Sequence, residues 1–217
     1  NMEVLQRTAN RGSISTGYDI DNSCKFEDAN DEYLTRTNAS GTNRRTFTVS
    51  FWFKRTKLGG TQELWDGGVY SEATRIGFGL SSDELWLDIG YSSRYRSSTT
   101  QQFRDTSAWY HIVWKVDTTQ STEADRFRVY VNGAEITDWA SRQYPTQNFD
   151  TSVASGLLAR IGSYDATYHG SSGYMAEFNY LDGLAVAPTE FGEYDDDSGI
   201  WIPKQYTGSY PGQSAYL

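Results

Sequence analysis

Two histidines, one cysteine and 28 acidic side chains set the chemistry open to this 217-residue chain. A strand-borne site for cleaving a sugar bond needs two carboxylates close together, and the pattern Glu-x-Asp-x-x-Glu would supply them. The nearest approaches are Glu123-Ala124-Asp125-Arg126-Phe127-Arg128 and Glu193-Tyr194-Asp195-Asp196-Asp197-Ser198, where Arg128 or Ser198 replaces the last acid. Glu84 and Asp88 share a strand face around Trp86, but four residues of strand separate them by about 13 Å, too far for a retaining or inverting pair. No Gly-x-Ser-x-Gly elbow accompanies His111 or His169. His111 lies in an alternating run, where a hydrogen-bonded structural role is expected. Gly67-Gly68 has neither the lysine nor the strand-to-helix context of a phosphate cradle. The chain is therefore expected not to be an enzyme, and Cys24 is expected to be a small buried side chain.

Binding chemistry is better represented. Calcium takes carboxylate and carbonyl oxygens, and Glu27, Asp28 and Asp182, with the run Asp195-Asp196-Asp197, could provide them; solvated acidic loops are the alternative. One cysteine and two histidines argue against zinc. Sugars need an aromatic face plus groups that hold hydroxyls, and three loop clusters combine these. They are Tyr91, Arg94 and Tyr95; Trp139, Arg142 and Tyr144; and Tyr164, Asp165, Tyr168 and His169. The third is favoured, and for each the alternative is a partner interface or ordinary loop packing. Asn38-Ala39-Ser40 fits a glycosylation acceptor, a triplet also expected by chance.

The elements that must position these groups are strands. Phe47, Val49, Phe51 and Phe53 alternate with Thr48, Ser50, Trp52 and Lys54, which predicts a strand with one buried face. Ile76, Phe78 and Leu80, then Leu85, Leu87 and Ile89, predict a hairpin around Ser81-Ser82-Asp83. Tyr110 to Val116 and Phe127 to Val131 alternate likewise, and Asn132-Gly133 predicts a two-residue turn into Ala134-Glu135-Ile136. Further runs cover Leu157 to Ile161 and Tyr174 to Tyr180, while Pro188 to Glu193 predicts one short helical turn. No helical period is sustained for three turns. The expected fold is all-β: an N-terminal extension or first edge strand over 1–25, a sandwich over 26–190, and an ordered tail or linker start over 191–217.

Composition agrees. Ten Phe, 16 Tyr and seven Trp can fill a sizeable core, and 20 Gly against four Pro suits many tight turns. Nineteen basic and 28 acidic residues give a net charge of −9, and no run of Lys or Arg exceeds Arg44-Arg45, so nucleic acid is not expected as a partner. No apolar stretch approaches the roughly 20 residues of a membrane helix, so membrane insertion is not expected either.

Trp109-Tyr110-His111-Ile112-Val113-Trp114-Lys115-Val116-Asp117, followed by Arg128-Val129-Tyr130-Val131-Asn132-Gly133-Ala134-Glu135, resembles the central signature of laminin-G-like, concanavalin A-like domains. Phe47 to Phe53 resembles an early strand of that family, and Ala159-Arg160-Ile161-Gly162 with Gly173-Tyr174-Met175-Ala176-Glu177 resembles its late strands. The resemblance implies a jelly-roll of two antiparallel sheets, one concave and one convex, often with one calcium at a sheet edge. Tyr180-Leu181-Asp182-Gly183-Leu184-Ala185, Phe191-Gly192-Glu193, Gly199 to Lys204 and Tyr206 to Tyr210 are similar to a tail found in laminin-G-like proteins of tailed bacteriophages, although Pro211 to Ala215 departs from that pattern. This implies a module on the virion surface, in the extracellular environment, that contacts host-surface glycans or another virion protein, with a homo-oligomer as one form of multivalency. A purely structural virion protein is the competing expectation, and a divergent glycoside hydrolase a third.

Overall fold

The computed structural model describes residues 18–30, 32–39, 43–68, 73–79, 82–163 and 170–217. Alternation of large apolar residues builds two antiparallel seven-stranded sheets that bury their inner faces against each other. The first runs β1 (Cys24–Phe26), β13 (Gly173–Asp182), β3 (Thr46–Arg55), β8 (Tyr110–Asp117), β9 (Phe127–Val131), β10 (Ala134–Glu135), with β16 (Ala215–Tyr216) also paired to β13. The second runs β11 (Trp139–Ser141), β7 (Arg94–Gln102), β6 (Glu84–Gly90), β5 (Arg75–Phe78), β4 (Gln62–Asp66), β12 (Leu158–Ile161), β2 (Leu34–Thr37). Phe47, Trp65, Trp114 and Tyr180 form the centre of the core, with ring centroids 5.6 to 6.3 Å apart in tilted and edge-on pairs. The chain is thus an all-β sandwich, as its alternation predicts.

Local signals read from the sequence hold at several turns. Asn132 and Gly133 take φ values of 49° and 79°, the left-handed pair that a two-residue hairpin turn requires. Pro188–Glu190 makes a single 3-10 turn. Strands β5 and β6 pair as a hairpin, while Leu80 and Ser81 lie outside the described residues.

Two expectations need correction. Strand β3 is buried on both faces: Thr48 and Ser50 are fully buried and Trp52 nearly so. The cover is the chain after Asp182. Thr48 Oγ1 donates to the Leu184 carbonyl at 2.8 Å and accepts the Val186 N–H at 3.0 Å. Leu184, Val186 and Phe191 then pack on Val113 and Leu181. A hairpin of β14 (Gly192–Tyr194) and β15 (Trp201–Pro203) brings Trp201 onto Trp52 and Ala176. Cys24, for its part, is exposed, because β1 is an edge strand and only its last residue, Phe26, reaches the core. Among the described residues no helix is long and apolar enough to cross a membrane.

His111 pins this outer layer. Its ring stacks between Trp52 (4.7 Å between centroids) and Trp201 (5.9 Å). Trp201 Nε1–H donates to His111 Nδ1 at 2.8 Å; since an indole can only donate, the ring proton sits on Nε2 and points to Ser50 Oγ at 2.9 Å. Gly133 and Gly192 make room for the indole, since a Cβ at either would lie 2.4 to 2.5 Å from Trp201 ring carbons. Burial drops the His111 pKa to about 3.

Two outcomes are expected. Trp201→Ala empties the layer and should lower unfolding stability by about 3–5 kcal/mol in urea titrations. Because unfolded His111 takes up a proton near pH 6.5 and the folded ring does not, stability from this site is complete above that pH and falls as pH drops toward 3. His111→Asn should therefore be less stable at pH 7 yet lose less stability between pH 7 and pH 4 than the parent; equal pH slopes would contradict this.

Candidate functional site

The outer face of the second sheet carries a row of alternating charge that only strand register reveals. Arg160 pairs across strands with Asp66, Asp66 with Arg75, Arg75 with Asp88, and Asp88 with Arg96, so five strands contribute one charged residue each. Asp88 is the hub. Arg96 grips it bidentately, Nε to Oδ1 and Nη2 to Oδ2, both at 2.7 Å, and Arg75 Nε donates to Oδ2 at 3.1 Å.

A second row lies beside the first, about 7 Å along the strands. It comprises Glu63, Gly77 and Trp86 in register. Gly77 is required here: an added Cβ would stand 2.6 Å from Trp86 Cζ2 and 2.3 Å from the Gln62 carbonyl. With that space clear, Trp86 lies next to the guanidiniums of Arg75 and Arg96, at 5.7 and 5.4 Å from its ring centroid. Arg75 Nη1 also lies 3.7 Å from Glu63 Oε2. A register shift between Glu63 and Trp65 explains why Glu63 and Asp66, three residues apart, face the same side while Leu64 and Trp65 both enter the core.

These acids are not ordinary surface carboxylates. Glu63, Asp66 and Asp88 are at most 1 % exposed, whereas the Arg96 side chain keeps 30 % exposure at the rim. Burial, followed by the nearby Asp66 charge, raises the Glu63 pKa well above its usual range despite the opposing pull of Arg75. Burial also pushes Asp66 up to about 7, against stabilisation of the anion by the Gly68 N–H and Arg75. Among the described residues, buried Glu63 Oε1, Asp66 Oδ2 and Trp86 Nε1 have no hydrogen-bond partner. Two acceptors and one donor are thus left unanswered within two adjacent rows, which native interiors rarely tolerate without a ligand or water.

The residues singled out from sequence fall elsewhere. Trp139 and Tyr144 are tied up in packing: the Arg142 guanidinium lies 4.8 to 5.0 Å from the rings of Phe127, Trp139 and Tyr144, and Trp139 Nε1 donates to the Ile136 carbonyl. Tyr91 sits under Arg44 at 4.0 Å, and Tyr95 packs edge-on against Phe149. Tyr164, Asp165, Tyr168 and His169 lie outside the described residues. The acids proposed for calcium are not gathered. Glu27 pairs with Lys25 at 3.1 Å, and Asp28 binds Lys57 and Ser172. These two adjoin the Gly173 end of β13, whereas Asp182 ends that ten-residue strand, about 30 Å away, and accepts the Gln213 N–H. Asp195 caps its own turn through Ser198. Among the described residues no group of three or more His, Cys, Asp or Glu is placed to hold a metal.

Comparison with known proteins gives one family. A sequence profile described as the concanavalin A-like lectin/glucanases superfamily matches residues 28–185. No curated protein is similar to the chain in sequence. Among solved structures, domain 4 of AbnA, a GH43 extracellular arabinanase from Geobacillus stearothermophilus in complex with arabinotriose, is similar at TM-score 0.53 and 20 % identity, over 74 % of this chain and 71 % of that one. Domains LG4-5 of the mouse laminin alpha1 chain are similar at TM-score 0.54 and 10 % identity, over 94 % of this chain and 49 % of that one.

Asp88→Ala should destabilise the protein by about 3–5 kcal/mol, since it leaves two guanidiniums without their counter-ion; equilibrium unfolding would measure it. Asp66 binds its proton more tightly folded than unfolded, so its contribution to stability is present below about pH 4 and declines as pH rises toward 7. Asp66→Asn should remove that decline, making the variant more stable relative to the parent at pH 8 than at pH 5.

Proposed function

The chain belongs to the concanavalin A-like lectin/glucanases superfamily, and from that premise we propose that it is a glycan-binding module whose binding face is the charged outer face of its second sheet. The partly exposed Arg96, fixed on buried Asp88, carries this reading, because the pair forms the kind of fixed, charged hydrogen-bond frame that orients polar ligands. Behind it lie the unanswered buried atoms Glu63 Oε1, Asp66 Oδ2 and Trp86 Nε1. A domain of the same fold has been solved with arabinotriose, which makes neutral oligosaccharides the first ligands to test.

The same geometry supports binding rather than hydrolysis. Asp88 has both oxygens occupied by guanidiniums, and Glu63 and Asp66 are shifted toward the protonated form, so the row offers no free carboxylate nucleophile. It also functions without calcium in this reading, since arginines and not a metal fix the acids. The similarity of residues 180–210 to tails of bacteriophage laminin-G-like proteins supports a place on a virion surface, where repeated copies would raise weak single-site affinity. Detection of the chain in purified phage particles would test that placement.

A glycan array probed with the tetramerised protein, with and without a chelator, tests the binding function. Binding to a defined oligosaccharide set is expected, unchanged by the chelator. Arg96→Lys, which keeps a cation beside Asp88 but loses the planar fork of donors at the accessible rim, should weaken it about tenfold while the protein stays folded. No binding even when multimerised would overturn the proposal in favour of a structural part without a glycan ligand.

A further inference from the structure

The edges of the two sheets do not close on one side of the sandwich. Strands β2 and β12 of one sheet and β13 and β16 of the other border a cleft of about 470 Å³. Protein cores normally pack without voids, and pockets of about 300–1,000 Å³ with apolar walls are the size that takes small organic ligands. The walls here are Leu34, Trp65, Ile161, Phe178, Tyr180 and Tyr216. Leu34 and Tyr216 remain 40 % and 53 % exposed, so the mouth is apolar as well as the interior.

Two polar groups on this cleft stand out. Tyr180, 4 % exposed with its ring 5.8 Å from Trp65, has a hydroxyl with no hydrogen-bond partner among the described residues. Arg36, exposed at the border, donates to the Ser214 carbonyl at 3.1 Å and to Gln213 Oε1 at 3.5 Å, and among the described residues no carboxylate forms an ion pair with it. Burial, followed by the Asp182 carboxylate, raises the Tyr180 pKa, and the Arg36 guanidinium opposes them; Asp182 is itself held by the Gln213 N–H.

We propose that this cleft is a second binding site, separate from the glycan face, for a single-chain amphiphile that carries a carboxylate: its apolar chain lies between the sheets and its head group meets the Tyr180 hydroxyl and the Arg36 guanidinium. Strands β4 and β12 divide the two sites. Trp65 and Ile161 face the cleft, Asp66 belongs to the charged row, and Arg160 borders both.

Titration of the full chain with the fluorescent apolar probe N-phenyl-1-naphthylamine, followed by displacement with dodecanoate and with dodecanol, tests this. Saturable probe fluorescence is expected, displaced by dodecanoate about tenfold more effectively than by dodecanol, the gain of one charged hydrogen bond. Tyr180→Phe keeps the ring and Arg36→Gln lies on the surface, so both should fold. Each should abolish the preference for dodecanoate while leaving probe binding intact. Ala215→Trp should fill the cleft and abolish probe binding, with glycan binding unchanged. Absence of saturable probe binding, or an unchanged dodecanoate preference in both head-group variants, would overturn the proposal without touching the glycan reading.

Discussion

Asp88 accepts three hydrogen bonds from two guanidiniums in the middle of the second sheet, and the arrangement of that face follows from it. A buried carboxylate is tolerable only with such partners, and the partners must come from the strands on either side. That requirement fixes register. A slip of one residue between β5 and β6, or between β6 and β7, would turn Arg75 or Arg96 inward and leave Asp88 unpaired. The same register sets Trp86 over Gly77 and brings Glu63 and Asp66 to the flank of Arg75.

The first sheet meets the same need by other means. At its centre the outer face is apolar and hydroxylic, and it is covered there by the returning chain through Leu184, Phe191 and Trp201. His111 contributes there as a neutral ring with both nitrogens satisfied, one by an indole donor and one by a serine hydroxyl. Both sheets are therefore buried on two sides over much of their width. One outer face is closed by hydrogen-bonded aromatics and the other holds a polar network with unmet hydrogen-bonding capacity.

That contrast underlies the two proposed sites. A face sealed by Trp201 and the tail has little to offer a ligand. The charged face has fixed donors and acceptors, and the open edge has an apolar cleft. Strands β4 and β12 serve both, because alternating side chains point to opposite sides of one sheet. Arg160 on β12 borders both the charged row and the cleft.

The sequence by itself determined the sandwich. Alternation from Phe47 to Phe53 and from Tyr110 to Val116 dictates strands with one apolar face, and Asn132-Gly133 dictates its turn because those residues tolerate positive φ. Only tertiary structure decided the site. Arg160, Asp66, Arg75, Asp88 and Arg96 are scattered over 95 positions, and each reads as an ordinary polar residue on a strand's outer side. Even locally, period-two alternation puts Glu63 and Asp66 on opposite faces, and the shift at Trp65 undoes it. Burial of Trp52 and His111 likewise needed the tail to return, and the exposure of Cys24 needed β1 to be an edge. Alternation is a property of neighbouring residues, whereas register, bulges and covering layers arise between segments distant in the chain.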